Sequence, residues 1–95
     1  MKRMFYVSPN IVRKALLKLG YTEVRRGHFK KFRLFHFTFH NIHKDKVLVS
    51  AHVDFLRQPW LTYQVRHISV FNDTRLKSEF DRLTDMINEI KEGRT

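Results

Sequence analysis

The sequence predicts an α+β fold: one small domain of order α-β-β-β-(β)-α, with two helices on one face of an antiparallel sheet. Three observations predict it. Apolar residues recur at helical spacing near both ends of the chain, they alternate with polar residues at period two in between, and 95 residues leave room for one core. Residues 1–95 are therefore read as a single domain.

Ser8 and Pro9 open the first helix. A serine can accept from otherwise unbonded helix amides, and proline at the first helical position loses no hydrogen bond. Val12, Leu16 and Leu19 then share a face with Ile11 and Ala15 beside them, while Arg13, Lys14 and Lys18 take the other side and Gly20 supplies the stop. The helix is expected over 9–19.

From Tyr21 the period changes to two. Gly27-His28 separates a short strand, 22–26, from a long one running through Phe29 to Ile42. Along the long strand Phe35, Phe37 and Phe39 point one way while His36, Thr38 and His40 point the other. His43-Lys44-Asp45 reads as a turn, and Val47 to Asp54 alternates again as a third strand.

Register follows from matching the faces, since a slip of one residue would set phenylalanines beside Ser50, His52 and Asp54. A three-residue loop at 43–45 pairs Phe39 with Val49, Phe37 with Ala51 and Phe35 with Val53. On the opposite face it sets His40 against Leu48, Thr38 against Ser50 and His36 against His52, with Asp54 diagonal to His36; a five-residue loop would keep the same faces and set His36 against Asp54.

Residues 55–71 are read as a fourth strand, at Val65 to Phe71, or as a packed connection broken by Pro59. Asn72 or Asp73 is expected to cap the last helix, whose apolar stripe is Leu76, Phe80, Leu83, Ile87 and Ile90.

Charge adds a functional reading. The chain holds 19 Lys and Arg against nine acids, a formal net charge of +10. Residues 1–71 hold 14 of those cations and only three acids, together with all six histidines. A basic field segregated in this way favours a polyanionic partner, with RNA the favoured nucleic acid and a membrane disfavoured. Without cysteine there is no disulfide framework, thiol nucleophile or zinc ribbon, so a cytoplasmic home is expected. Met4 to Val7 is far too short for a signal-peptide core, and no stretch reaches the ~18 apolar residues of a membrane span.

The densest signal is Arg25 to Arg33, which has Arg25, Arg26, Lys30, Lys31 and Arg33 interleaved with His28, Phe29 and Phe32. Such cations can contact successive phosphates and interleaved rings can stack bases, though a plainer reading keeps Phe29 and Phe32 in the core. Lys44 and Lys46 beside the 43–45 turn, and Arg57, Trp60 and Arg66 further on, complete the candidate nucleic-acid contacts; Trp60 can equally close one end of the core. His36, His52 and Asp54 form the second constellation. They suit acid–base chemistry or a metal, and equally a plain polar sheet face.

The run Val12-Arg-Lys-Ala-Leu-Leu-Lys-Leu-Gly20-Tyr-Thr-Glu-Val-Arg-Arg-Gly27-His28-Phe29 resembles the start of HicA-type toxins, small RNases of double-stranded-RNA-binding-like α-β-β-β-α fold. In that family a helix ending in Leu-Gly-Phe/Tyr is followed by a short strand and Gly-Ser-His. Here Gly27 precedes His28 directly. The resemblance spans residues 10–54 and implies an endoribonuclease with His28 catalytic, no cofactor and an antitoxin-like protein partner. A metal-independent ribonuclease thus stands beside a binding module without catalysis. A third reading is an assembly subunit that oligomerises through its hairpin and last helix.

Overall fold

The computed structural model describes residues 1–32, 35–53 and 65–93, the last stretch with side chains from residue 73. Its elements are β1 (Lys2–Phe5), α1 (Pro9–Lys18), β2 (Thr22–Arg25), β3 (His28–Lys31), β4 (Phe35–His40), β5 (Val47–Val53) and α2 (Val65–Lys91). The five strands form one antiparallel sheet in the order β1-β5-β4-β3-β2. α1 and α2 pack together against one face of it, and the expected α+β class holds.

α1 begins and ends as its sequence dictates. The Ser8 hydroxyl accepts from the Asn10 amide at 3.3 Å, and the Ser8 carbonyl takes the Ile11 amide at 3.0 Å. At the far end Gly20 adopts φ +93°, so the Tyr21 amide reaches the Leu16 carbonyl at 3.0 Å and the Gly20 amide reaches Leu17 at 3.1 Å. This paired closure satisfies carbonyls that a helix end leaves open, and glycine takes the required conformation without steric cost.

The β4–β5 hairpin has the register expected from face matching. Phe35 lies opposite Val53, His36 opposite His52, Phe37 opposite Ala51, Thr38 opposite Ser50, Phe39 opposite Val49 and His40 opposite Leu48. Its apolar face supplies Phe35, Phe37, Phe39, Val47, Val49 and Ala51 to the core, which Val12, Ala15 and Leu16 of α1 and Leu76, Phe80, Leu83 and Ile87 of α2 complete.

Three elements differ from the expectation. The long strand 29–42 is broken: the chain folds back after Lys31, Phe32 takes φ +55°, and β3 pairs with β4 with Phe29 opposite Phe37 and Lys31 opposite Phe35. The reason is polarity. An unbroken strand would carry Lys31 and Arg33 through the middle of the core face between Phe29 and Phe35; the break leaves Lys31, which shares that face opposite Phe35, as the last residue of β3. Lys31 ends at the margin of the core face, its ammonium 5.3 Å from the centroid of the Tyr21 ring.

The strand or connection expected at 65–71 is instead the start of α2, and Asn72 and Asp73 lie within that helix rather than capping it. Its 27 residues make it about 40 Å long. Residues 54–64, with Asp54, Arg57 and Trp60 among them, lie outside the described residues, as does Arg33. β1 was not foreseen. It lines the free edge of β5, with Lys2 opposite Ser50 and Phe5 opposite Val47.

Two polar contacts tie the layers together. The buried Tyr21 hydroxyl donates to Glu79 Oε2 at 2.8 Å, joining the end of α1 to α2. Burial, followed by that bond to a carboxylate, pushes the phenol pKa above its ordinary range. Glu23 Oε2 accepts from the Arg13 Nε at 3.2 Å and from the Gly27 amide at 3.0 Å. The Gly27 amide first, and Arg13 after it, hold the Glu23 carboxyl below its usual range against the opposing effect of burial.

Glu23→Gln is expected to cost about 1 kcal/mol at pH 7, the scale of a charge-assisted bond in a partly exposed site. A depressed folded-state pKa stabilises the fold above the ordinary glutamate value near ~4.3 and ceases to do so as pH falls through the folded value. Urea titrations at pH 7 and below pH 4 should therefore show the gap between wild type and variant closing on acidification. A gap that stays constant would mean that the Glu23 charge does not matter.

Candidate nucleic-acid interface

Strand alternation decides which side chains share the sheet face away from the helices. β4 sends His36, Thr38 and His40 there, β5 sends Leu48, Ser50 and His52, β3 sends His28 and Lys30, and β1 sends Lys2 and Met4. The phenylalanines of these strands go to the other face, where Phe29 and Phe37 are fully buried. Among the interleaved rings of the basic run the core reading therefore holds for Phe29. Phe32, at the β3–β4 turn, is 75% exposed.

Three histidines meet on this face. His28 Nε2 lies 3.2 Å from His36 Nδ1, so within that pair one ring donates and the other accepts. The His36 and His52 rings stack in parallel, with centroids 4.7 Å apart and 4° between their planes. Thr38 Oγ1 sits 3.5 Å from His28 Nδ1, and His40 Nε2 lies 2.7 Å from Ser50 Oγ. His36, in the middle, is only 7% exposed, whereas His52 is exposed and His28 half-buried.

The row can pass a proton from ring to ring between His28 and His36. In-plane lone pairs of parallel rings do not converge on one point, and among the described residues no group of three or more His, Asp or Glu is arranged to hold a metal ion. The expected place of Asp54 beside His36 lies outside the described residues.

The cations gather at one end of the sheet. The Arg26-Gly27 turn between β2 and β3 and the 41–46 loop between β4 and β5 emerge together there, joined by the Phe39 amide donating to the Gly27 carbonyl at 2.8 Å. That brings exposed Arg25, Arg26, Lys44 and Lys46 to a common rim, with Arg25 opposite His28 in the β2–β3 pairing. Gly27 takes φ +75°, a left-handed conformation that glycine adopts without steric cost at this turn.

Lys30 faces the open side next to His36, and Lys31 does not, its ammonium standing over Tyr21 and Phe32 at the helix-side margin. Arg66 falls within α2, and its side chain is outside the described set. Sequence reasoning missed Arg13, which reads as part of the solvent side of α1. It lines a concavity with Glu23, Arg25 and Arg26.

No helix among the described residues is long and apolar enough to cross a membrane. No protein-family model, curated protein or solved structure matches the chain.

Proposed function

We propose that this chain is a nucleic-acid-binding domain directed at RNA. The observation that carries the reading is the common rim of Arg25, Arg26, Lys44 and Lys46, which borders a face bearing His28, His36, His52 and Lys30. Each phosphate neutralised by such a cation releases counterions, so affinity is expected to fall steeply with salt. A cytoplasmic setting accords with this reading.

Fluorescence anisotropy with a labelled oligoribonucleotide, measured between about 50 and 200 mM salt, tests it. Replacing Arg25, Arg26, Lys44 and Lys46 together by Ala should lower affinity alike for all sequences and flatten the log–log salt slope by about 3, at ~0.7 per lost phosphate contact on a single strand. Absence of binding at low salt, or binding indifferent to salt, overturns the reading. A stable oligomer with no affinity for nucleic acid would select an assembly subunit instead.

The hydrogen bond between His28 and His36 favours a second reading, metal-independent RNA cleavage, in line with the HicA resemblance of residues 10–54. His28 takes the proton of a ribose 2′-hydroxyl and the freed oxygen attacks phosphorus. The 5′-oxygen leaves with a proton from a second imidazole, His52 being the exposed member of the row. His36 positions His28. No cofactor is required, cleavage persists in EDTA, and an all-DNA strand, which lacks the 2′-hydroxyl, is not cut. An antitoxin-like protein partner and self-association both remain compatible with this reading.

A further inference from the structure

Where β2 turns into β3, Arg13, Arg25 and Arg26 line one concavity, with Glu23 completing it. Three guanidinium groups surround one carboxylate, which leaves a surplus of two positive charges. Arg13 is already oriented: its Nη1 donates to Asn10 Oδ1 at 2.7 Å and its Nε to Glu23 Oε2 at 3.2 Å. The same Glu23 oxygen accepts from the Gly27 amide and so fixes the turn that carries Arg26. One carboxylate thus sets the positions of two elements that contribute arginines. Arg13 is tied into this arrangement by hydrogen bonds, and Arg26 lowers the Glu23 carboxyl through its charge, while both Arg25 and Arg26 stay exposed.

We propose that this concavity is a phosphate-binding subsite that takes one phosphate group of an RNA strand through Arg13, Arg25 and Arg26. The inference rests on the RNA reading above and adds to it a residue from α1 and a fixed anchoring point. Planar guanidinium groups match phosphate oxygens in paired bonds, and an arginine held before the ligand arrives loses less freedom on binding. Arg25 pairs with His28 across β2–β3, while Arg13 of α1 and Glu23, opposite core-facing Phe29, set the concavity on the helix side of the sheet rather than on the histidine face. The phosphate can be a terminal monoester, whose charge approaches −2 near neutral pH, or a diester of the backbone.

The test compares 5′-phosphorylated and 5′-hydroxyl oligoribonucleotides of one sequence on wild type, Arg13→Gln and Arg26→Gln. Arg26 is exposed on a turn, so its variant is expected to keep the fold. If the phosphate is terminal, wild type prefers the 5′-phosphorylated strand about tenfold and both variants lose the preference. If it belongs to the backbone, each variant weakens both strands alike, by about 3- to 10-fold, and the salt slope drops by about 0.7. Variants that bind both strands as wild type does overturn the subsite while the RNA reading stands. Should wild type bind no RNA, a titration with inorganic phosphate decides the subsite alone. Amide shifts at Arg26 and Gly27 that are lost in Arg26→Gln support it, and their absence in wild type overturns it.

Discussion

In an RNA-cleavage assay, His28→Ala is expected to lower turnover by about 10²- to 10⁴-fold, the usual contribution of a general base, while RNA affinity stays within about twofold. The separation of the two effects follows from position. His28 stands between the rim cations that would hold phosphates and the buried ring of His36, so removing its imidazole takes away a proton acceptor and leaves Arg25, Arg26, Lys44 and Lys46 in place. His36→Ala acts through His28 and should change the pH–rate profile as well as the rate. Turnover unchanged in His28→Ala, cleavage of DNA, or abolition by EDTA would each displace the histidine mechanism, and the last would transfer the role to a metal bound through His and carboxylate.

Phe37→Ala is the substitution expected to damage the fold most. Phe37 is fully buried in β4 and meets two rings edge-on: Tyr21 at 5.1 Å and 88°, and Phe80 of α2 at 5.0 Å and 81°. It joins the sheet to α2 and to the end of α1. Removing so large a buried ring costs about 3–5 kcal/mol, a large share of the roughly 5–14 kcal/mol expected for a chain of this size. Thermal unfolding should show Tm falling by roughly 15–30 °C. Phe32→Ala, at an exposed turn position, should change stability by no more than about 0.5 kcal/mol. Similar Tm values for the two variants would mean that the core is not centred on Phe37.

The β4–β5 hairpin was legible because its period-two pattern is strict on both strands, and a one-residue slip would have buried Ser50 and His52. The break between β3 and β4 was legible in principle. Lys31 and Arg33 occupy odd positions between Phe29 and Phe35, and reading 29–42 as one strand overlooked that those positions share the core face. The start of α2 was hidden because Val65, Ile68, Val70 and Phe71 are residue types that favour strands, while Asn72-Asp73-Thr74 imitates a cap. β1 has four residues with charge on both faces, so only the free edge of β5 gives it a reason to exist.

The same overlooked turn kept the site in two pieces. His36 and His52 were placed together by register, and His28 was singled out separately through the HicA resemblance. Folding β3 back onto β4 puts His28 beside His36, so two unrelated candidates become neighbours. Arg13 was beyond the reach of sequence, because its helix-side location next to Arg25 and Arg26 depends on how α1 docks on β2.

The placement of β1 also carries an expectation for the order of events during folding. β4 and β5 meet across a short loop, with Phe39 and Val49 ten positions apart, whereas Lys2 and Ser50 are separated by 48. Closing the longer span costs about 1–2 kcal/mol more in chain entropy, so the central hairpin is expected to form first and β1 to dock afterwards. Until β1 docks, the outer margin of β5 presents unpaired amides and carbonyls to any other extended chain nearby.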